Sequence, residues 1–191
     1  MKPQTAMHRF PELASLLEGA DHIDMKTAVC PATLREFIVS MLAYQPGWVT
    51  LLYGVRAGLA RILGMRQRGL PRAARLQPED LPMQPGAKAG FFSVRMAQDE
   101  HYWVAEAADS PLSAAVGVVV DSLAHGQRQF FVLTIVHYRS WTGPVYFNII
   151  RPFHHLVVGG MVRAGAKSYL KSEGVRYRAT GRDSKDGFHG E

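Results

Sequence analysis

The chain has 191 residues, 47% of them hydrophobic, and a formal net charge of +6. That length favours one domain with a sizeable core, and the composition is ordinary for a globular protein. The single cysteine, Cys30, has no intramolecular partner, which argues against a disulfide-stapled secreted scaffold. The opening MKPQTAMHRFPELASLL lacks the apolar core and small-residue cleavage site of a signal peptide. No run reaches the roughly 18 apolar residues of a membrane span. A cytoplasmic protein without a membrane role is the expectation.

The positive charge is concentrated. No acidic residue lies between Glu36 and Glu79, whereas Arg56, Arg61, Arg66, Arg68, Arg72 and Arg75 all do. Such a cluster suits phosphate groups. No aromatic residue is interleaved with its last four members, as a nucleic-acid groove would require, so a solvated helix face running into a basic loop is expected instead.

In chain order, residues 1–20 read as a leader with a short helix from Pro11 to Glu18. Ile23, Met25, Thr27 and Val29 alternate with Asp24, Lys26 and Ala28, which predicts a strand with one face inward. Thr33 and Glu36 form a capping box ahead of a helix carrying Leu34, Phe37, Ile38, Met41 and Leu42. Pro46-Gly47 breaks it, and a second helix from Trp48 presents a stripe of Leu51, Leu52, Val55, Leu59 and Ile62. The Pro-rich stretch from Met65 to Gly90 is a long loop, of the kind that serves as a lid or a binding loop. Strands follow near Phe92–Met96, Tyr102–Ala107, Ser113–Val120 and Arg128–Tyr138. The last is apolar on both faces, so something must cover each, the long loop or a second subunit. Trp141-Thr142-Gly143-Pro144 reads as a turn into a strand Val145–Ile150, and a helix from His154 to Leu170 closes the domain. Residues 171–191 have the composition of a flexible tail.

Grouped helices beside a run of strands indicate an α+β domain over residues 21–170. The expected architecture is a curved antiparallel sheet of about six strands on a long C-terminal helix, with two helices inserted after the first strand. A cavity between helix and sheet is a common place for a ligand.

Two segments carry a family resemblance, PGWVTLLYGVRAGLARILGM from Pro46 and VHYRSWTGPVYFNIIRPFHHLVV from Val136. They resemble the characteristic segments of the DUF2867 family of bacterial proteins, in which a Pro-x-Trp start leads into an Arg-containing helix. A later strand there leads through Gly and Tyr to a Pro-x-His helix start. The matching positions here are Pro46, Trp48 and Arg56, then Val136, Gly143, Tyr146, Pro152 and His154; Ala57 and Pro144 stand where the family often has Asn and Arg. The resemblance implies a helix-grip, START-like fold without an established activity. It also implies an accessory or ligand-binding module, because relatives occur alone or beside NAD(P)-binding reductase-like domains.

The chemistry-bearing residues concentrate between Val136 and Leu170. His154 and His155 are adjacent, so on a helix they point about 100° apart and cannot chelate one metal as a pair. No zinc-protease, dinucleotide or P-loop spacing occurs, and no metal or cofactor is expected. Ser140 near His137 is the one local pair for nucleophilic catalysis, and it lacks a third member. Acid–base chemistry would need His154 with a distant carboxylate such as Asp121 or Glu106. Arg139, Arg151 and the first turn of the last helix suit a carboxylate or phosphate. The candidate ligand contacts are therefore His137, Arg139, Trp141, Tyr146, Arg151, His154, Trp48 and Arg56. The leading expectation is a domain that binds a small apolar ligand or amphipathic acid. The alternatives are a polyketide-cyclase-like enzyme with His154 or His137 as acid–base, and a homodimeric interaction module.

Overall fold

The fold is seen in a computed structural model that describes residues 11–49, 54, 58, 61, 76–108 and 112–169. Helix α1, Pro11–Ala14, precedes strand β1, His22–Cys30, and helix α2, Leu34–Leu42. Then come β2, Lys88–Ala89; β3, Phe92–Gln98; β4, Tyr102–Ala108; β5, Leu112–Ser122; β6, Arg128–Tyr138; and helix α3, Thr142–Ala166. The strands form one antiparallel sheet in the order β1-β6-β5-β4-β3-β2. β2 to β6 follow one another by short returns, while β1 reaches the far side of β6 through the α2 excursion. Of the second predicted helix, Gly47–Val49, Gly54, Gly58 and Arg61 are helical, and the remainder lies outside the described residues.

α2 starts where the sequence places it. Thr33 accepts from the Glu36 amide and the Glu36 carboxylate accepts from the Thr33 amide, so each satisfies an otherwise orphaned N–H. Leu34, Phe37, Ile38, Met41 and Leu42 then pack on the concave face of the sheet with Phe130, Val132, Trp103 and, from α3, Val158 and Val162. Phe37 stacks on Phe130 with ring centroids 4.1 Å apart and planes within 2°. From the long loop, Leu81 is buried in the same core, and Pro82 accepts a hydrogen bond from the Trp103 indole at 3.0 Å. This described part of the loop is a packed plug.

The other face of the sheet is covered from within the chain. Leu13 and Leu16 pack against Tyr102, Val104, Val119, Phe131, Leu133 and Ile135. The two apolar rows of β6 therefore each have a partner without a second subunit, Phe130 and Val132 beneath α2 and α3, Phe131 and Leu133 beneath the segment that precedes β1.

Two expectations change. Val145–Ile150 is helical, the first half of α3, and the sheet gains its sixth strand from the two residues of β2. The β-branched and aromatic content of VYFNII favours a strand, but Gly143-Pro144 is the opening turn of a helix, where proline loses no needed hydrogen bond. Tyr146 and Phe147 then turn inward onto Leu112 and Val136. Pro152 lies inside the helix rather than at its start, where it removes one backbone hydrogen bond. The second change is on β1. Ile23, Thr27 and Val29 are largely on the outer side, and the row His22, Asp24, Lys26, Ala28, Cys30 faces the helices.

α2 and α3 approach closely at Gly160 and Gly165. A Cβ at Gly165 would lie 2.9 Å from the Phe37 ring, and one at Gly160 would collide with the Tyr44 ring. Phe37 is held by Phe130 and cannot yield, whereas the half-buried Tyr44 can rotate away. Helix propensity alone would make either Gly→Ala change favourable by about 1 kcal/mol, and overpacking costs about 1–3. Gly165→Ala should therefore lower the free energy of unfolding by up to about 2 kcal/mol in a denaturant titration, and Gly160→Ala should change it less.

Candidate functional site

The inward row of β1 carries the candidate site. Antiparallel pairing sets His22 opposite Val136, Asp24 opposite Thr134 and Lys26 opposite Val132, and Thr134 is in turn opposite Val116 on β5. Since Val132 and Val136 pack beneath the helices, alternation puts Thr134 between them on the same face. α3 crosses above and brings Phe147, Arg151, His154 and His155 over β1.

The contacts define a polar cluster. The Asp24 carboxylate accepts from His155 Nδ1 at 3.1 Å and lies 3.4 Å from the Lys26 ammonium. The His22 ring is 4.9 Å from Phe147 and 6.2 Å from His155, and His154 is 6.2 Å from His155 and 6.3 Å from Phe147. Three buried polar atoms here, His22 Nε2, His154 Nε2 and Thr134 Oγ1, have no hydrogen-bond partner among the described residues. Thr134 is 1% exposed. Leaving such groups unsatisfied costs about 1–3 kcal/mol each, which native cores avoid unless something else supplies the bond.

Burial, helped by neighbouring positive charge, favours the neutral form of both imidazoles. Burial, then the neighbouring His155, pushes His154 down to about 4. Burial and the Arg151 cation lower His22, although Asp24 acts against them. For Asp24, burial pushes the carboxyl up, but Lys26 and His155 together outweigh it and hold it below the usual range. The result is an anion already compensated by its neighbours, beside two neutral rings and a hydroxyl that lack partners.

Of the sequence candidates, this geometry brings together His154 and Arg151, the latter exposed on α3 yet close enough to depress His22. Tyr146 is buried in the small core beneath the first half of α3. His137 points to the other face, its Nδ1 3.2 Å from the Gly19 carbonyl. Arg139, Trp141 and Trp48 are exposed and apart from the cluster, and Arg56 lies outside the described residues. The Ser140 hydroxyl bonds Thr142 rather than His137. The carboxylate beside the histidines is Asp24; Glu106 is engaged by Arg95 at 3.0 Å. His22, Asp24 and Thr134 were not among the candidates. Their signal in the sequence is faint: three polar side chains at inward positions of strands.

Among the described residues no group of three or more His, Cys, Asp or Glu side chains is placed to hold a metal ion. A surface recess of about 420 Å³ lies elsewhere, lined by Thr33, Arg35, Glu36, Asp99 and Glu100. Most of its charges are already used: Arg35 forks onto Asp99 at 3.0 Å, Glu36 serves the helix cap and Glu100 pairs with Arg128. The unsatisfied polar atoms, not this recess, mark the candidate site.

The sequence profile of a family described as a protein of unknown function, DUF2867, matches residues 16–161. The chain belongs to this family. No curated protein matches it. Truncated norcoclaurine synthase from Thalictrum flavum is similar in structure at a TM-score of 0.41, with 12% identity over 78% of this chain and 93% of that one. Ara h 8.0201 is similar at 0.36, with 7% identity over 75% of this chain and 97% of that one. The matched region of this DUF2867 protein runs from Leu16, beneath the sheet, through β1 to Met161 on α3, and so contains the whole cluster.

The depressed His154 has a stability consequence. Unfolded, the ring regains its ordinary value of 6.5; folded, it protonates only near about 4. Between these values the unfolded chain binds a proton that the folded chain does not, so stability falls as pH drops through that window. The loss is at most about 3 kcal/mol and levels off below the folded value. His22, also lowered, acts in the same sense. Thermal unfolding followed from pH 7 to pH 4 should show a falling midpoint, and His154→Gln should flatten that slope; an unaltered slope would contradict the assignment.

Proposed function

We propose that this DUF2867 protein is a small-molecule binding domain, with its ligand held at the seam between α3 and the β1–β6 side of the sheet. The observation that carries the reading is the convergence of three buried, unpartnered polar atoms, His22 Nε2, His154 Nε2 and Thr134 Oγ1, on one face. Each can donate a hydrogen bond: the neutral rings through the Nε2–H tautomer, the threonine through its hydroxyl. With the Arg151 cation beside them, they suit an acceptor-bearing head such as a carboxylate or carbonyl. Phe147, whose ring lies 4.9 Å from His22, is the apolar group beside these atoms.

A second reading rests on the Asp24–His155 pair. A carboxylate that accepts from Nδ1–H fixes the ring and leaves Nε2 as its basic atom, the arrangement of an oriented general base. Under that reading His155 takes and returns a proton on a bound carbonyl compound, as a polyketide-cyclase-like enzyme would.

Native mass spectrometry of freshly purified protein, before and after organic extraction, tests the binding reading. A discrete extra mass that is lost on extraction is expected. Thr134→Val keeps the shape of the side chain and removes the hydroxyl, so it should lower occupancy about fivefold to tenfold while leaving the fold intact. A bound mass retained in full by both Thr134→Val and His154→Phe would place the ligand elsewhere. An identified ligand that the protein converts, with conversion lost in Asp24→Asn, would favour the second reading.

A further inference from the structure

The outer face of α3 is unlike the rest of the surface. Trp141, Val145, Ile149, Phe153 and Leu156 recur every three or four residues on it, and all are exposed, Trp141 at 83% and Leu156 at 59%. The run spans about 22 Å of helix. The same face continues through Arg163 and Lys167, both exposed, seven and eleven residues beyond Leu156. α3 contains no Asp or Glu, and none occurs from Ser122 to Ser172, where Arg128, Arg139, Arg151, Arg163, Lys167 and Lys171 all lie. The carboxylates nearest to α3 are already engaged, Asp24 by His155 and Lys26, and Asp21 by the Tyr138 amide.

We propose that the outward face of α3 is a docking surface for an anionic lipid bilayer. An apolar stripe with an aromatic at one end and cations at the other is the pattern of a helix lying in the plane of a membrane interface. Charge decides between occupants. A second copy packed on this face would offer Arg163 and Lys167 no carboxylate from its own α3 to pair with. An anionic leaflet supplies the missing charge and takes up the apolar side chains together. Crossing is a separate matter: among the described residues no helix is long and apolar enough to span a membrane. The site at the α3–β1 seam lies on the opposite side of the same helix, so the surface stands independently of what that seam binds.

Sedimentation of the full chain with vesicles tests the proposal. Phosphatidylcholine vesicles containing phosphatidylglycerol should carry the protein down, and phosphatidylcholine alone should do so weakly. Ile149→Glu and Leu156→Glu, at exposed positions where the fold tolerates a charge, should each weaken binding about tenfold. Arg163→Gln and Lys167→Gln should each weaken it about fivefold. Circular dichroism checks that each variant keeps the wild-type helix content. Absence of binding to the anionic vesicles overturns the proposal, as does equal binding by Ile149→Glu. A dimer that Ile149→Glu dissociates, with no vesicle binding, assigns the face to a second copy and overturns it as well.

Discussion

The antiparallel pairing of β1 with β6 is the contact on which the rest depends. It joins the first strand to the last, places residues 22–30 at the side of the sheet that α3 crosses, and sets Asp24 opposite Thr134. Without it the polar row of β1 would have no roof, and His154 and His155 would face no carboxylate. The pairing is secured at its upper end by the chain itself: the Asp21 amide donates to the Val136 carbonyl at 2.9 Å, and Asp21 accepts from the Tyr138 amide at 2.6 Å. At its lower end Arg128 donates to the Ala32 carbonyl and pairs with Glu100 at 2.8 Å.

Given that frame, the two ends of the concave face differ in kind. Beneath α2 it is a dry core, closed by Phe37 on Phe130 and by Leu81 from the long loop. Beneath the middle of α3 it is polar, with a compensated carboxylate, two neutral histidines and a threonine. A buried network whose members are only partly satisfied is costly for folding, and the economical explanation for keeping one is that it meets another molecule. Gly160 and Gly165 belong to the dry end, where the absence of side chains lets α3 approach Phe37 and Tyr44.

Much of the fold was legible in the sequence because its signals were local. The Thr33–Glu36 cap, the alternation in β3 and β4, and the two-faced β6 each follow from residues a few positions apart. Val145–Ile150 misled because its composition favours a strand, whereas Tyr146 and Phe147 needed Leu112 and Val136 beneath them to be held as helix. The candidate site was legible only in half. His154 and Arg151 stood out in a dense segment, but His22 and Asp24 are separated from them by nearly the whole length of the domain, and Thr134 sits within an apolar strand. On β1 the hydrophobic pattern pointed outward, and that conflict between pattern and placement was itself the mark of the site. Only the pairing of β1 with β6 and the path of α3 bring these groups to one place.

A crystal structure of the protein as purified, at a resolution that shows ordered solvent and small molecules, tests the central claim most directly. The account predicts non-protein density within hydrogen-bond reach, about 3 Å, of His22 Nε2, His154 Nε2 and Thr134 Oγ1 together, extending along Phe147. The contrary result is a closed seam in which these three atoms are bonded to protein groups or to isolated waters and no ligand-sized space adjoins them. That would make the cluster a structural feature of the fold and remove the basis for a binding site there.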